Sequence, residues 1–345
     1  MTALSRWLLF CVLLGLFGLE AGAQRVVTDS ADRRVTVPDR VERVFVAGPP
    51  ASVYVYVLAP EKLLGWPRQP YAEEKPFLAA PYRDLPELGR LTGRGNTANV
   101  EVVLKSRPDL ILDVGAINPT YISLAERVQQ QAGVPYLLVD GSLKNIPSSL
   151  RLLGTALGVS ERAEKLARYT EQTYRDLAAV LATIPPERRP RVYLARGPDG
   201  LETGVRGSIN TEIIEWVGAV NVADAPGQQG LATVSHEQVL NWNPEIIITL
   251  DERFFAKVFE DPRWQAVTAV KTKRVYLAPR WPFGWVDRPP ALNRIVGIRW
   301  LGGLFYPEAF KGDLRQLSRE FYQLFYHLDL SDTQLDTLLA GARSP

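Results

Sequence analysis

The stretch Ser160–Ile184, SERAEKLARYTEQTYRDLAAVLATI, places Leu166, Tyr169, Thr173, Leu177, Val180, Leu181 and Ile184 at spacings of three and four. That spacing draws one apolar stripe along an amphipathic helix. Ser160 is the expected N-cap, and Glu161 and Glu164 fall in the first turn, where the helix dipole favours acids. Pro185-Pro186 ends the helix, because proline lacks the N–H and excludes helix from the residue before it. At roughly 1.5 Å per residue the rod is about 36 Å long, unusual for a globular helix.

On either side of this helix the chain alternates short apolar runs with helical ones. Before it come a polar, β-prone stretch Arg25–Pro38, strand Val44–Ala47, helix Ser52–Leu58 and strand Leu63–Trp66. Helix Val100–Ser106, strand Asp109–Val114, helix Tyr121–Ala132 and strand Tyr136–Val139 follow a Pro- and charge-rich loop, Pro67–Leu88. After it come strand Arg191–Ala195, helix Ile209–Val217, helix Ser235–Asn241, strand Glu245–Leu250, helices Phe254–Phe259 and Trp264–Val270, and strand Arg274–Ala278. Helices Leu292–Phe305 and Leu314–Tyr326 close the chain. Such alternation predicts an α/β protein of two Rossmann-like lobes with mostly parallel sheets, joined by the long backbone helix, with a ligand cleft between them. The expected division is 24–150 for the N-terminal lobe, 151–187 for the linking helix and 188–345 for the C-terminal lobe.

At 345 residues, 46% hydrophobic and 23% charged, the chain is long enough for one or two sizeable cores. A net charge of +2 without a basic tail or arginine-rich run gives no reason to expect nucleic acid as a partner. Arg6 precedes the apolar run Trp7–Phe17, and Ala21-Gly22-Ala23 has the small–x–small form of a signal-peptidase site. Residues 1–23 are therefore expected to be a cleavable signal peptide, and the apolar run is too short for a permanent anchor. The single cysteine, Cys11, lies within that segment, so an exported chain without disulfides is expected.

An internal repeat links the lobes. Glu101-x-x-Leu104-x-x-x-Pro108-Asp109-Leu110-Ile111 reappears as Glu237-x-x-Leu240-x-x-x-Pro244-Glu245-Ile246-Ile247. Both copies read helix, proline stop, buried strand, with a glutamate near the helix N-terminus.

The residues argue against catalysis. Only His236 and His327 are histidines, they are far apart, and no metal-ligand spacing, nucleophile elbow or phosphate-cradling loop occurs. What remains is a set of arginines and tryptophans in irregular segments. Arg94 and Asn96 precede a first-lobe helix; Arg196, Glu202 and Arg206 follow the first strand of the second lobe; Arg280, Trp281, Trp285 and Arg288 follow its last strand. Ligands of open α/β sheets collect beyond the carboxyl ends of strands, and guanidiniums suit anions while indoles suit flat or apolar groups. A cationic, aromatic-edged cleft is expected, with no protein-held metal or cofactor.

The layout resembles the substrate-binding proteins of ABC importers that carry iron–siderophore complexes, haem or cobalamin, in which a single long helix joins two α/β lobes. The likeness runs from about Arg43 to Phe310 and rests most on Asn99-Val100-Glu101 with Arg107-Pro108-Asp109-Leu110-Ile111, on Val234-Ser235-His236-Glu237-Gln238-Val239-Leu240, and on Phe283-Gly284-Trp285-Val286-Asp287-Arg288. The segment Trp264–Leu277 adds to it. The resemblance implies a monomeric periplasmic receptor, not an enzyme. It also implies that Glu101 and Glu237 are lobe-tip glutamates that dock into arginine pockets of an inner-membrane permease dimer. Arg288 matches a ligand-facing arginine, whereas Gly95 and Leu231 stand near where cobalamin-binding relatives carry cleft tryptophans. The implied cargo is an anionic iron chelate of the ferric siderophore type, then molybdate or tungstate, then haem, with cobalamin disfavoured. The rivals from other classes are an exported chelatase-like enzyme on the same fold and a surface adhesin.

Overall fold

The computed structural model describes residues 23–93, 95, 97–225 and 227–342. Residues 1–22 of the expected signal peptide, Arg94 and Asn96 thus lie outside the described residues. Val35 and Val37 alternate with exposed neighbours in the opening hairpin of β1 (Gln24–Thr28) and β2 (Arg34–Pro38). The first lobe continues with β3 (Val44–Val46), α1 (Pro49–Leu58), α2 (Val100–Ser106), β4 (Leu110–Gly115), α3 (Pro119–Ala132) and β5 (Tyr136–Asp140). Its sheet runs β3-β4-β5, all parallel. The strands are buried and mostly apolar rather than alternating, as expected of a parallel sheet covered on both faces, and Asp113 is the exception within β4.

Helices α4 (Ile146–Leu157) and α5 (Ser160–Leu181) follow. Helix α5 is the long helix, but it ends at Leu181, before the prolines, and Val159 rather than Ser160 is its N-cap residue. Leu166, Thr173 and Leu177 of the expected stripe are buried, together with Ala163, Ala167 and Thr170. Helix α4 was not legible as a separate element; it turns into α5 through Gly158, at φ 72°.

The second lobe holds β6 (Arg191–Ala195), β7 (Glu202–Gly204), α6 (Glu212–Trp216), β8 (Val220–Asn221), β9 (Leu231–Thr233), α7 (His236–Trp242), β10 (Ile246–Thr249), α8 (Glu252–Lys257), α9 (Thr268–Lys271) and β11 (Val275–Leu277). Its parallel sheet has the order β11-β10-β6-β8, and β7 pairs antiparallel with β9 beside it. The chain closes with α10 (Arg294–Phe305), α11 (Leu314–Tyr326) and an unforeseen α12 (Asp332–Leu339). Two expected elements differ. Leu63–Trp66 makes only isolated bridges, to Val44 and Glu87, since at Gly65 the chain crosses Pro86 too closely for a side chain. Helix Trp264–Val270 shrinks to α9, with Trp264 buried in the turns before it.

The two lobes share one core. A continuous buried cluster includes Leu110 and Leu112 of β4, Leu166 of α5, and Val192 and Ile246 of the second sheet. A fully buried arginine clasps the lobes beside it. Arg294 donates to the Gly141 carbonyl at 2.6 Å and to Glu212 at 2.9 Å, and Glu212 in turn accepts from the Leu143 backbone at 3.0 Å. The terminal helices return to the first lobe, where Tyr56 Oη donates to the Tyr326 carbonyl at 2.8 Å.

Candidate functional site

The carboxyl ends of β3, β4 and β5 face the second lobe across a cleft of about 710 Å³. Thr92, Asp113 and Gly115 line it from the first lobe; Asn210, Leu231, Asp287 and Arg288 line it from the second. A smaller recess of about 160 Å³, edged by Trp66 and Phe283, shares Arg68, Arg90 and Arg288 with it. Helix α1 starts at this cleft with Pro49 and Pro50. Prolines have no N–H to offer an anion, so recognition falls to side chains rather than to the helix end.

Three guanidiniums face the space. Arg68 makes a bidentate pair with Glu74, at 2.8 and 2.5 Å, and lies over the Tyr71 ring at 4.1 Å. The Arg90 guanidinium donates to the Gly95 carbonyl at 3.1 Å and makes no ion pair among the described residues. Arg288 is exposed and makes no ion pair among the described residues, and its backbone sits at φ 68°. A left-handed non-glycine residue costs energy and persists where its surroundings hold it. Here the neighbour, Asp287, is held: it is buried, pairs with Arg196 and accepts from Asn210 Nδ2 on both carboxylate oxygens, at 3.0 and 3.2 Å. Arg196 in turn donates to Glu202 at 2.9 Å.

Asp113 forms part of the cleft floor and is nearly buried, accepting from Thr92 Oγ1 at 3.1 Å and Tyr136 Oη at 3.2 Å. Burial pushes its carboxyl up to about 6, and the two hydroxyls and the Val114 backbone N–H only partly oppose that. Gly48 makes the arrangement fit, because a side chain there would meet Thr92 Oγ1 at 2.5 Å.

The structure thus sorts the residues expected at the site. Arg288 lines the cleft. Arg196 and Glu202 stand behind it as the brace of Asp287. Arg206 points elsewhere, pairing with Asp224 at 3.1 Å. Arg280 pairs with Glu252 at 2.5 Å and stacks over Trp281 at 4.4 Å; both line a separate recess of about 550 Å³ with Gln334. Trp285 is wholly buried, donating to Tyr322 Oη at 3.2 Å, and so belongs to the core rather than the cleft. Arg68, Arg90, Thr92, Asp113 and Asn210 were missed. For Asp113 there was a signal, a carboxylate interrupting the apolar run Leu110-Ile111-Leu112-Asp113-Val114.

The repeat holds in three dimensions. Helices α2 and α7 are each seven residues long, and each begins with a capped N-terminus: Asn99 accepts from Val102, and Ser235 forms a capping box with Gln238. Each ends in a left-handed residue before proline, Arg107 and Asn243. Glu101 and Glu237 are exposed on the first turns, Glu101 paired with Lys105 at 2.8 Å. Leu104 and Leu240, one turn on, are exposed at 50% and 37%.

A rigid helix, two parallel-sheet lobes and a cleft at their carboxyl ends define a ligand receptor of the helical-backbone type. Residues 66–280 match the periplasmic binding protein family, and the chain belongs to that family. An ABC transporter solute binding protein from Sulfurospirillum deleyianum superposes with a TM-score of 0.84 at 30% identity, covering 92% of this chain and 99% of that one. The molybdate-binding protein MolA of Haemophilus influenzae is 28% identical over 92% of this chain and 95% of its own length. A vitamin B12-binding protein of Salmonella choleraesuis is 30% identical over 44% of this chain and 54% of its own. The chain is thus a periplasmic solute-binding component of an ABC transporter, which takes a small ligand and delivers it to a permease; its relatives are binding proteins, not enzymes. Among the described residues no helix is long and apolar enough to cross a membrane.

Proposed function

We propose that the cargo is an anionic metal chelate, of the ferric siderophore type, held between Arg90 and Arg288. The observation that carries this reading is the pair of guanidiniums, Arg90 and Arg288, that make no ion pair among the described residues and line one cleft from its two lobes. A guanidinium is permanently charged and matches carboxylates and other planar anions. The cleft of about 710 Å³ has the volume of a site for an organic ligand, well beyond a bare tetrahedral ion. Leu231 lines the wall where an aromatic plate for a corrinoid would be needed, which argues against cobalamin.

A second reading, a molybdate or tungstate receptor, is favoured by the likeness to MolA along nearly the whole chain. Either cargo would be presented to the permease dimer through Glu101 and Glu237, after removal of a signal peptide at 1–23. The lobes are taken as 24–150 and 188–345, with 151–187 between, in a monomer.

A thermal-shift panel of ferric siderophores, ferric citrate, haem, cobalamin, molybdate and tungstate tests the reading. A ligand at about 100 times its Kd adds about 2.7 kcal/mol of stability. A shift with a ferric chelate supports the first reading; a shift with the oxyanions alone replaces it with the second. No shift with any anion refutes both.

A further inference from the structure

Asp113 is anomalous in a cleft whose other charges are either cationic or neutralised. It stands near the carboxyl end of β4, only 6% exposed, yet it borders the cavity. Buried carboxylates ordinarily carry a cationic partner. Asp287, the other carboxylate of the cleft, has Arg196. Asp113 has none among the described residues, only the hydroxyls of Thr92 and Tyr136 and the backbone N–H of Val114. These three donors leave part of the carboxylate's acceptor capacity, about four lone-pair sites, unfilled. Thr92, from the loop before α2, and Tyr136, from β5, are the polar side chains against it. Of the cleft's charged side chains, Arg68, Arg90 and Arg288 make no hydrogen bond or ion pair to it. Tyr71 and Tyr121, also at the cleft, make none either.

We propose that Asp113 is a hydrogen-bond-accepting subsite that takes a proton-donating group of the cargo, a hydroxyl, an amide N–H or a metal-bound water, while the arginines hold its anionic face. The inference rests on the anionic reading above and narrows it. A fully deprotonated tetrahedral oxyanion offers acceptors only, and it would face a desolvated carboxylate of like charge. A chelate that carries donors satisfies both poles of the cleft. With its carboxyl raised toward neutrality by burial, Asp113 turns from acceptor to donor on mild acidification. An oxyanion gains exactly where a donor-bearing chelate loses.

The test is calorimetric titration of the wild-type chain and Asp113→Asn with molybdate and with ferric citrate as its 1:1 complex, in which citrate leaves coordination positions of the iron to water. For molybdate, wild-type affinity is expected to be about tenfold higher at about pH 6 than at about pH 8, and Asp113→Asn at about pH 8 to match the acidic wild type and lose the pH dependence. For ferric citrate, Asp113→Asn is expected to weaken binding about tenfold at about pH 8, because a charge-assisted bond is lost. Either arm suffices. Equal affinity of the two proteins for a bound probe at both pH values overturns the subsite and leaves the anionic reading standing. If no anion of the panel binds either protein, the anionic reading fails and takes this inference with it.

Discussion

Arg288 and Asp113 illustrate how single residues are set by what lies behind them. The Arg196–Asp287–Asn210 brace fixes the residue before Arg288, so the guanidinium is presented from a strained turn rather than from a flexible tip. Asp113 stores a different cost. Its carboxyl is raised to about 6 by burial, so the folded chain holds that proton more tightly than the unfolded one. The sign follows: the contribution of Asp113 to stability is greatest below about pH 4, falls as the pH rises through about 6, and stays lower above it. Removing the charge in Asp113→Asn should thus stabilise the fold at about pH 8, by up to about 2–3 kcal/mol and with a raised melting temperature, and change it little at about pH 4. Equal melting temperatures at both pH values would show that the carboxyl is not held near neutrality.

At the scale of elements, α2 and α7 are the same device built twice. A side-chain cap begins each, a left-handed residue and proline end it, and a buried valine, Val103 or Val239, anchors it to its lobe. What each leaves outward is a glutamate followed three residues later by an exposed leucine. Reversing both charges with Glu101→Lys and Glu237→Lys should abolish uptake in cells while ligand affinity stays within about twofold, since surface substitutions of this kind perturb folding little. Uptake at the wild-type level would remove the docking role. This repeat was legible in the sequence because caps, proline and strand follow local rules. Helix α5 was legible from its apolar periodicity, although its cap and its end were not. Arg68 and Arg90 were not, because the loops that aim them are positioned by tertiary contacts. Trp285 was misread because an indole after a last strand fits a cleft and a core equally well in sequence; its buried bond to Tyr322 decides for the core. Helix α12 was missed, although its Ser331–Gln334 capping box is written in the sequence.

At the scale of the molecule, the shared core and the Arg294–Glu212 clasp set how far the lobes can move. The clasp joins β5's following turn to α6 and α10 beneath the cleft. Arg294 is fully buried, so Arg294→Met removes a paired charge from the interior and leaves Glu212 without its cation. The expected loss is about 3–5 kcal/mol in denaturant unfolding, as for breaking other buried pairs from one side. A loss below about 1 kcal/mol would mean that the apolar core alone holds the lobes together.

The measurement that bears most directly on the receptor account is a calorimetric titration of the double variant Arg90→Ala/Arg288→Ala beside the wild type, using the anion that stabilises the wild type. The account predicts a loss of at least about 3 kcal/mol in binding free energy, two charge-assisted contacts at about 1.5–3 kcal/mol each, with the melting temperature of the free protein unchanged. Undiminished affinity in the double variant would contradict it, and would place the ligand outside the cleft that the two lobes enclose.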